Sequence, residues 1–325
     1  MRAEDIFLIL EVDATDHCIS KYRRVVPESA FDVRLEVSFP TRTRRLTVRA
    51  TSAPISSKVL QTHGFAATYI ADIQHFQVEL QDKRLSSLFS ALVDNFLSAL
   101  LDANETADPV EVLLVRLGLW KRLFEEYAFD GLSTQAQRGL YSELKFLSNT
   151  LLTTLTTMEA VLAWKAPDRT SKDFVHQSVA IEVKSRVAKS ALKVRISSEN
   201  QLDMAGYNLF LVVTELDIES NGGETLPELI EQVRHQLRTC AGALTTFDDQ
   251  MIRMGYIDLH HAHYEGTRYL PSTTLYKVTV GFPSVRPTDL PPGISHFTYD
   301  LDLVSAKAFI TSSNVLVDAL QEKYV

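Results

Sequence analysis

Cysteine is almost missing from this chain: two among 325 residues, Cys18 and Cys240, far apart. That excludes a disulfide framework and a cysteine-based zinc site. No apolar run is long enough to cross a bilayer, and no basic-then-apolar leader follows Met1, so a soluble cytoplasmic chain with no membrane partner is expected. There is no glycine-rich phosphate loop, no Gly-x-Ser-x-Gly elbow and no His-Glu-x-x-His helix. No internal repeat is visible either. His260, His261 and His263 lie close together, but no acid or cysteine completes a ligand set, and they read as a polar loop.

Positive charge is also short. Lys and Arg total 33 against 41 Asp and Glu, a formal net charge of -8. Binding to nucleic acid through phosphates needs local lysine and arginine, so any such groove is confined to one part of the chain or completed by a partner.

What is present is a chain 45% hydrophobic and 23% charged, enough for a sizeable core and a length that suggests two domains. Residues 1–105 read as a β-rich domain with a linking helix. Alternating or β-branched runs occupy Ile6–Val12, Phe31–Val37, Arg45–Arg49 and His75–Leu80, and Leu85–Leu101 has helical spacing. Arg42, Arg44, Arg45 and Arg49 form either a phosphate-contacting strand edge or a solvated, edge-protecting face.

Residues 106–325 form the second part, with its core over about 131–255. Asp108 and Pro109 start a helix that runs to about Phe129, and Trp120 and Phe124 lie on its core stripe. Thr134 and Gln137 have capping-box spacing, and Leu140, Leu144, Leu147 and Leu151 make one apolar helix face with Glu143 at its rim. Trp164–Thr170 is a connector. Leu209–Thr214 is a buried strand, Asn221-Gly222-Gly223 a turn, and Thr225 opens a helix. Thr274–Val280 and Phe297–Leu303 are strands, and Ser312–Tyr324 is a terminal helix. This order gives an α/β core.

The chemistry concentrates in Lys172–Lys184. Val179, Ile181 and Val183 alternate with Ala180, Glu182 and Lys184, so Glu182 and Lys184 share one face of a strand and the apolar residues point into a core. With the turn at Gln177-Ser178, His176 pairs with Val179 and Asp173 falls opposite Glu182. Two carboxylates that close suit a hard divalent metal, with the lysine ammonium alongside. Lys184, Arg186, Lys189, Lys193 and Arg195 follow as a wall of cations able to bind phosphate, and Glu199 or Gln201 could reach the site.

An apolar helix bearing Glu143, then Asp173, then Glu182-Val183-Lys184 on a hairpin, then a basic strand resembles the PD-(D/E)XK nuclease superfamily. More closely, Arg138–Leu144, Lys172-Asp173-Phe174, Ile181–Lys184 and Ile196–Leu202, with Gly281-Phe282-Pro283 and Phe297-Thr298-Tyr299 later, look like a bacterial family labelled only as PD-(D/E)XK motif proteins. Its members are often encoded in defence loci beside DNA methyltransferases and ATPases. The likeness covers roughly residues 130–305 well and the N-terminal third loosely.

The resemblance implies a restriction-endonuclease-like α/β fold: a mixed central sheet flanked by helices, with an N-terminal β-rich domain and a C-terminal β-rich extension. It implies restriction-type, Mg²⁺-dependent hydrolysis of double-stranded DNA in anti-phage defence, with Mn²⁺ as a substitute and a homodimer as the acting form. Asp173, Glu182, the Val183 carbonyl and Glu143 would hold the metal, and Lys184 would position water or stabilise the leaving charge. Arg186, Lys189, Lys193, Arg195 and Gln201 would contact the nucleic acid. The literal Pro-Asp is Pro167-Asp168, so Asp168 and Asp173 both stand for the first carboxylate. Two other readings remain: an idle nuclease-shaped subunit that binds DNA or scaffolds a complex, and a structural hairpin in which Lys184 neutralises the two acids.

Overall fold

The computed structural model describes residues 2–12, 19–25, 32–49, 60–102, 108–127, 130–218 and 222–322. Cys18, Asn221, Phe129 and Tyr324 lie outside them, as does the expected boundary between 105 and 106. The chain divides into two compact units, Met1–Gly131 and Leu132–Val325.

The first unit opens with a helix, α1 (Ala3–Val12), where the apolar run predicted a strand. Ala3, Ile6, Phe7 and Leu10 are buried, which is one face at helical spacing, and Glu4 and Asp5 favour the first turn electrostatically. Strands β1 (Ser20–Arg24), β2 (Val33–Ser38), β3 (Thr43–Arg49), β4 (Leu60–Gln61), β5 (Phe65–Ile70) and β6 (His75–Leu80) pair antiparallel in the order β1-β2-β3-β6-β5-β4. Helices α2 (Ser86–Asp102) and α3 (Pro109–Arg122) follow, and Asp108 accepts from the Val110 N–H as the α3 cap.

The arginine cluster is not a strand edge, because β3 sits between β2 and β6. Arg44 shares the core face with Leu46 and Val48, is buried, and pairs with Glu4 at 2.7 Å and Glu11 at 2.8 Å on α1. Arg45 points to the other face, toward Glu79 at 2.5 Å and Glu36 at 3.8 Å. Arg42 and Arg49 are exposed.

The second unit begins with α4 (Thr134–Phe146), which continues through a π turn at Leu147–Leu151 into α5 (Leu152–Thr154). Its cap is Ser133, which accepts from the Ala136 N–H; the Gln137 side chain instead donates to the Leu132 carbonyl. After α6 (Thr157–Ala163) come β7 (Phe174–His176), β8 (Val179–Val187), β9 (Lys193–Ile196), β10 (Asn208–Asp217) and β11 (Glu224–Thr225). Helices α7 (Leu226–Leu237) and α8 (Ala241–Arg253), strands β12 (Arg268–Val278) and β13 (Tyr299–Asp302), and α9 (Ser313–Gln321) complete it.

The central sheet runs β11-β12-β10-β8-β7, with β8 and β10 parallel and the other pairs antiparallel, a mixed sheet of the expected α/β kind. Among the described residues, strands β9 and β13 pair only with each other. Val194, Ile196 and Leu301 of that ribbon pack with Ala180, Leu209, Leu211 and Val213 on one sheet face. Helix α4 packs on β8, and α6 on β7 and α8. Strand β8 is therefore covered on both faces: Val179 through Val183 are all buried, whereas the sequence pattern implied a single buried face. The alternation misleads because Ala180 and Glu182 lie beneath chain that arrives more than ten residues later.

Candidate functional site

The β7–β8 turn, with Gln177 at a φ of 50°, sets the register His176↔Val179, Val175↔Ala180 and Phe174↔Ile181. One step further along the same register brings Asp173 to Glu182. The main chain of Asp173 is held from outside the hairpin, because its carbonyl accepts from the N–H groups of Lys165 (2.7 Å) and Ala166 (3.1 Å). Its side chain then turns to β8, where Oδ2 accepts from the Val183 N–H at 2.7 Å. In an extended strand the N–H and C=O of one residue point to the same side. The Val183 carbonyl thus faces the same open side as Asp173.

Glu182 has no exposed side-chain surface. Its Oε1 pairs with the Lys184 ammonium at 2.6 Å, and its Oε2 has no hydrogen-bond partner among the described residues. Glu143, half-buried on α4, accepts from the Trp164 indole N–H at 2.8 Å through Oε2. No partner meets Glu143 Oε1 or Asp173 Oδ1 among the described residues.

The charges feel one another. Burial, and then the charge of Asp173, push the Glu182 carboxyl up to about 8. Burial and the same aspartate push Glu143 well above the carboxylate range. Burial raises Asp173 against the opposing pull of Lys184 and the Val183 N–H. Burial alone would lower Lys184, but the charges of Glu182 and Asp173 outweigh it and hold the ammonium above its usual value. Three carboxyls share the Lys184 ammonium, with Lys172 acting on Asp173 and Glu182 as well, so the cluster is short of positive charge when ionised.

Among the described residues, no three His, Cys, Asp or Glu side chains are grouped so that they could hold a metal ion by themselves. The donors nevertheless suit a hard cation in kind: every available atom is oxygen, and Glu182 Oε2 is buried with no hydrogen-bond partner among the described residues. Asp168 stands apart, exposed and paired with Arg253 at 2.7 Å.

The expected cationic wall does not form as a wall. Arg186 is buried, pairs with Glu215 on the neighbouring strand and donates to the Ser190 carbonyl. Lys193 and Arg195 are exposed, but β13 places Asp302 and Asp300 directly opposite them. Lys189 is exposed in a turn at a φ of 65°. Gln201 is half-buried, and its Oε1 accepts from the Ser197 N–H at 2.7 Å. Glu199 is buried and accepts from the N–H groups of His296 and Phe297.

Two contributors were not legible from sequence. Trp164, read as a connector, is fully buried and orients Glu143. Lys172 is buried, and its ammonium donates to the carbonyls of Asn200 (2.6 Å), Gln201 (2.7 Å) and Asp203 (2.7 Å); burial lowers it to about 8. Its place beside Asp173 was the one available signal.

A sequence model of the family described as "Putative PD-(D/E)XK family member, (DUF4420)" matches residues 5–304. No curated protein and no solved structure matches the chain.

Proposed function

Because this chain belongs to the PD-(D/E)XK family, whose function is of the nuclease type, we propose that it is a divalent-metal-dependent DNA endonuclease centred on Asp173, Glu182 and Lys184. The observation that carries this reading is Glu182: a buried carboxylate whose Oε2 has no hydrogen-bond partner among the described residues, with an ammonium 2.6 Å from Oε1 and a second carboxylate opposite it. A carboxylate left so is costly unless a cation joins it.

Asp173, Glu182 and the Val183 carbonyl would hold Mg²⁺, or Mn²⁺ in its place, with Glu143 in support. When bound, such an ion lowers the pKa of a water and neutralises charge on the phosphate. Lys184 keeps its proton because the carboxylates hold it above its usual value, so it acts as a cation and donor. It would orient the attacking water or stabilise charge developing on the phosphate oxygens. Asp173 is preferred to Asp168 because Asp168 is exposed and engaged by Arg253. Lys189 is the most available of the expected phosphate contacts, with Lys193 and Arg195 weakened by Asp302 and Asp300.

The resemblance to proteins of defence loci suggests restriction of incoming phage DNA. It also suggests work beside a methyltransferase or an ATPase, and two copies acting on the two strands of a duplex. The test is plasmid cleavage with Mg²⁺ on methylated and unmethylated DNA. Glu182→Ala and Lys184→Ala are expected to abolish cutting while circular dichroism and melting show a folded protein. Cutting at wild-type rate by both variants would sink the assignment.

A second reading, an idle nuclease-shaped subunit, draws on the fact that Lys184 already neutralises Glu182. Calorimetric titration with Mn²⁺ separates the two, since an idle scaffold whose lysine fills the site takes up no ion there and Glu182→Ala leaves the trace unchanged.

A further inference from the structure

Two rows of side chains lie on the facing sides of β8 and the β9–β13 ribbon. On β8 the row is Ala180, Glu182, Lys184, at i and i+2 spacing. On the ribbon it is Leu301 and Tyr299 of β13, with Phe297 beyond the strand end. The rows share a base: Ala180 and Leu301 belong to one buried cluster, and Tyr299 packs against it. Further out they remain together, since the cluster that Tyr299 packs against includes Val213, the register partner of Lys184. The ring of Phe297 then lies 5.9 Å from that of Tyr299 with 30° between their planes, and Phe297 is 37% exposed.

This exposed ring is held firmly. The buried carboxylate of Glu199 accepts from the His296 N–H (3.3 Å) and the Phe297 N–H (2.8 Å). The Thr298 hydroxyl donates to the Ser197 carbonyl at 3.3 Å, and the Tyr299 hydroxyl accepts from the Val285 N–H at 3.2 Å. Using a buried carboxylate to fix the backbone beneath a solvent-facing aromatic orders a surface that core packing does not require. The outer face of the same ribbon meanwhile alternates in charge, Lys193 against Asp302 and Arg195 against Asp300. In a chain of net charge -8, phosphate attraction along this wall is therefore weak, and contact with bases must supply more of the affinity.

We propose that Phe297, backed by Tyr299, is a stacking platform for an unpaired nucleobase next to the scissile phosphate. The strand it receives is single-stranded at that point, so a duplex substrate must open there before it is cut. This rests on the nuclease reading above and adds the substrate's form. Each base stacked on an aromatic ring contributes about 1–3 kcal/mol and does so with little regard to sequence.

The experiment uses the full chain in EDTA, so that nothing is cut, and a short fluorescein-labelled oligodeoxynucleotide offered as single strand and as duplex. Phe297→Leu, which keeps an apolar side chain, is expected to weaken single-strand binding about tenfold. The duplex affinity and the melting temperature should stay as in the wild type, and Phe297→Trp should bind the single strand at least as tightly as the wild type. Unchanged single-strand affinity in Phe297→Leu overturns the platform, and so does an equal loss for both forms of DNA. If the wild type binds neither form, the platform falls, whereas the nuclease reading stands or falls on plasmid cleavage with Mg²⁺.

Discussion

The indole N–H of Trp164 donates to Glu143 Oε2 across 2.8 Å. The tryptophan is itself held in place, because Gln250 on α8 donates to its carbonyl at 3.1 Å. The acid proposed to support the metal is thus aimed by a residue outside the proposed ligand set. Trp164→Phe removes the donor and keeps most of the ring. If Glu143 supports the ion, Mn²⁺ affinity measured by calorimetry should fall about 10- to 100-fold, as for other residues that orient metal ligands. Affinity equal to the wild type would remove Glu143 from the site.

The Glu182 carboxyl, raised from 4.5 to about 8 in the fold, makes stability depend on pH. Between those values the native state holds a proton that the unfolded chain has released. The contribution is therefore fully present below about 4.5 and is lost as pH rises toward 8, with a slope of at most about 1.4 kcal/mol per pH unit. Urea unfolding in EDTA at several pH values between these limits should show wild-type stability falling, and Glu182→Gln should flatten that fall. Identical slopes would contradict the assignment.

Lys172 closes three backbone carbonyls around one ammonium. Lys172→Met leaves those acceptors unpaired and is expected to cost about 3 kcal/mol. Arginine should not restore the loss, because a planar guanidinium cannot reproduce three bonds converging on one nitrogen. Thermal melting gives the magnitude, and limited proteolysis should show new nicking over residues 198–204. A variant that melts and resists protease like the wild type would refute the cage.

Arg44 ties α1 to β3 through Glu4 and Glu11. Its own side chain is 4% exposed while that of Glu4 is 34% exposed, so solvent screens part of the pair. Arg44→Met should destabilise the first unit by about 2 kcal/mol, less than the loss of a wholly buried pair. Denaturant titration followed by far-ultraviolet circular dichroism measures this, and a change near zero would mean the pairing is incidental.

Much of the fold was readable where the determinants are local. Asp108 and Pro109 announced α3, the leucine stripe announced α4, and the Gln177-Ser178 turn alone set the register that brings Asp173 toward Glu182. The failures share a cause. The run Ile6–Val12 looked like a strand until its burial against β2 and α2 selected a helix. The cationic wall looked basic because Glu215, Asp300 and Asp302 lie tens of residues from the cations they face.

By itself, the sequence determined the chemistry on offer: Glu182 and Lys184 on one strand face, Asp173 one hairpin turn away, Glu143 on an apolar helix. Backbone periodicity and turn geometry are short-range, and a linear pattern records them directly. Only the tertiary structure decided which of these groups are left wanting a partner. Burial of Glu182 under the β9–β13 ribbon, aiming of Glu143 by Trp164 and capture of Arg186 by Glu215 depend on side chains brought from elsewhere. Desolvation and ion pairing act through space, and no spacing within one segment encodes them.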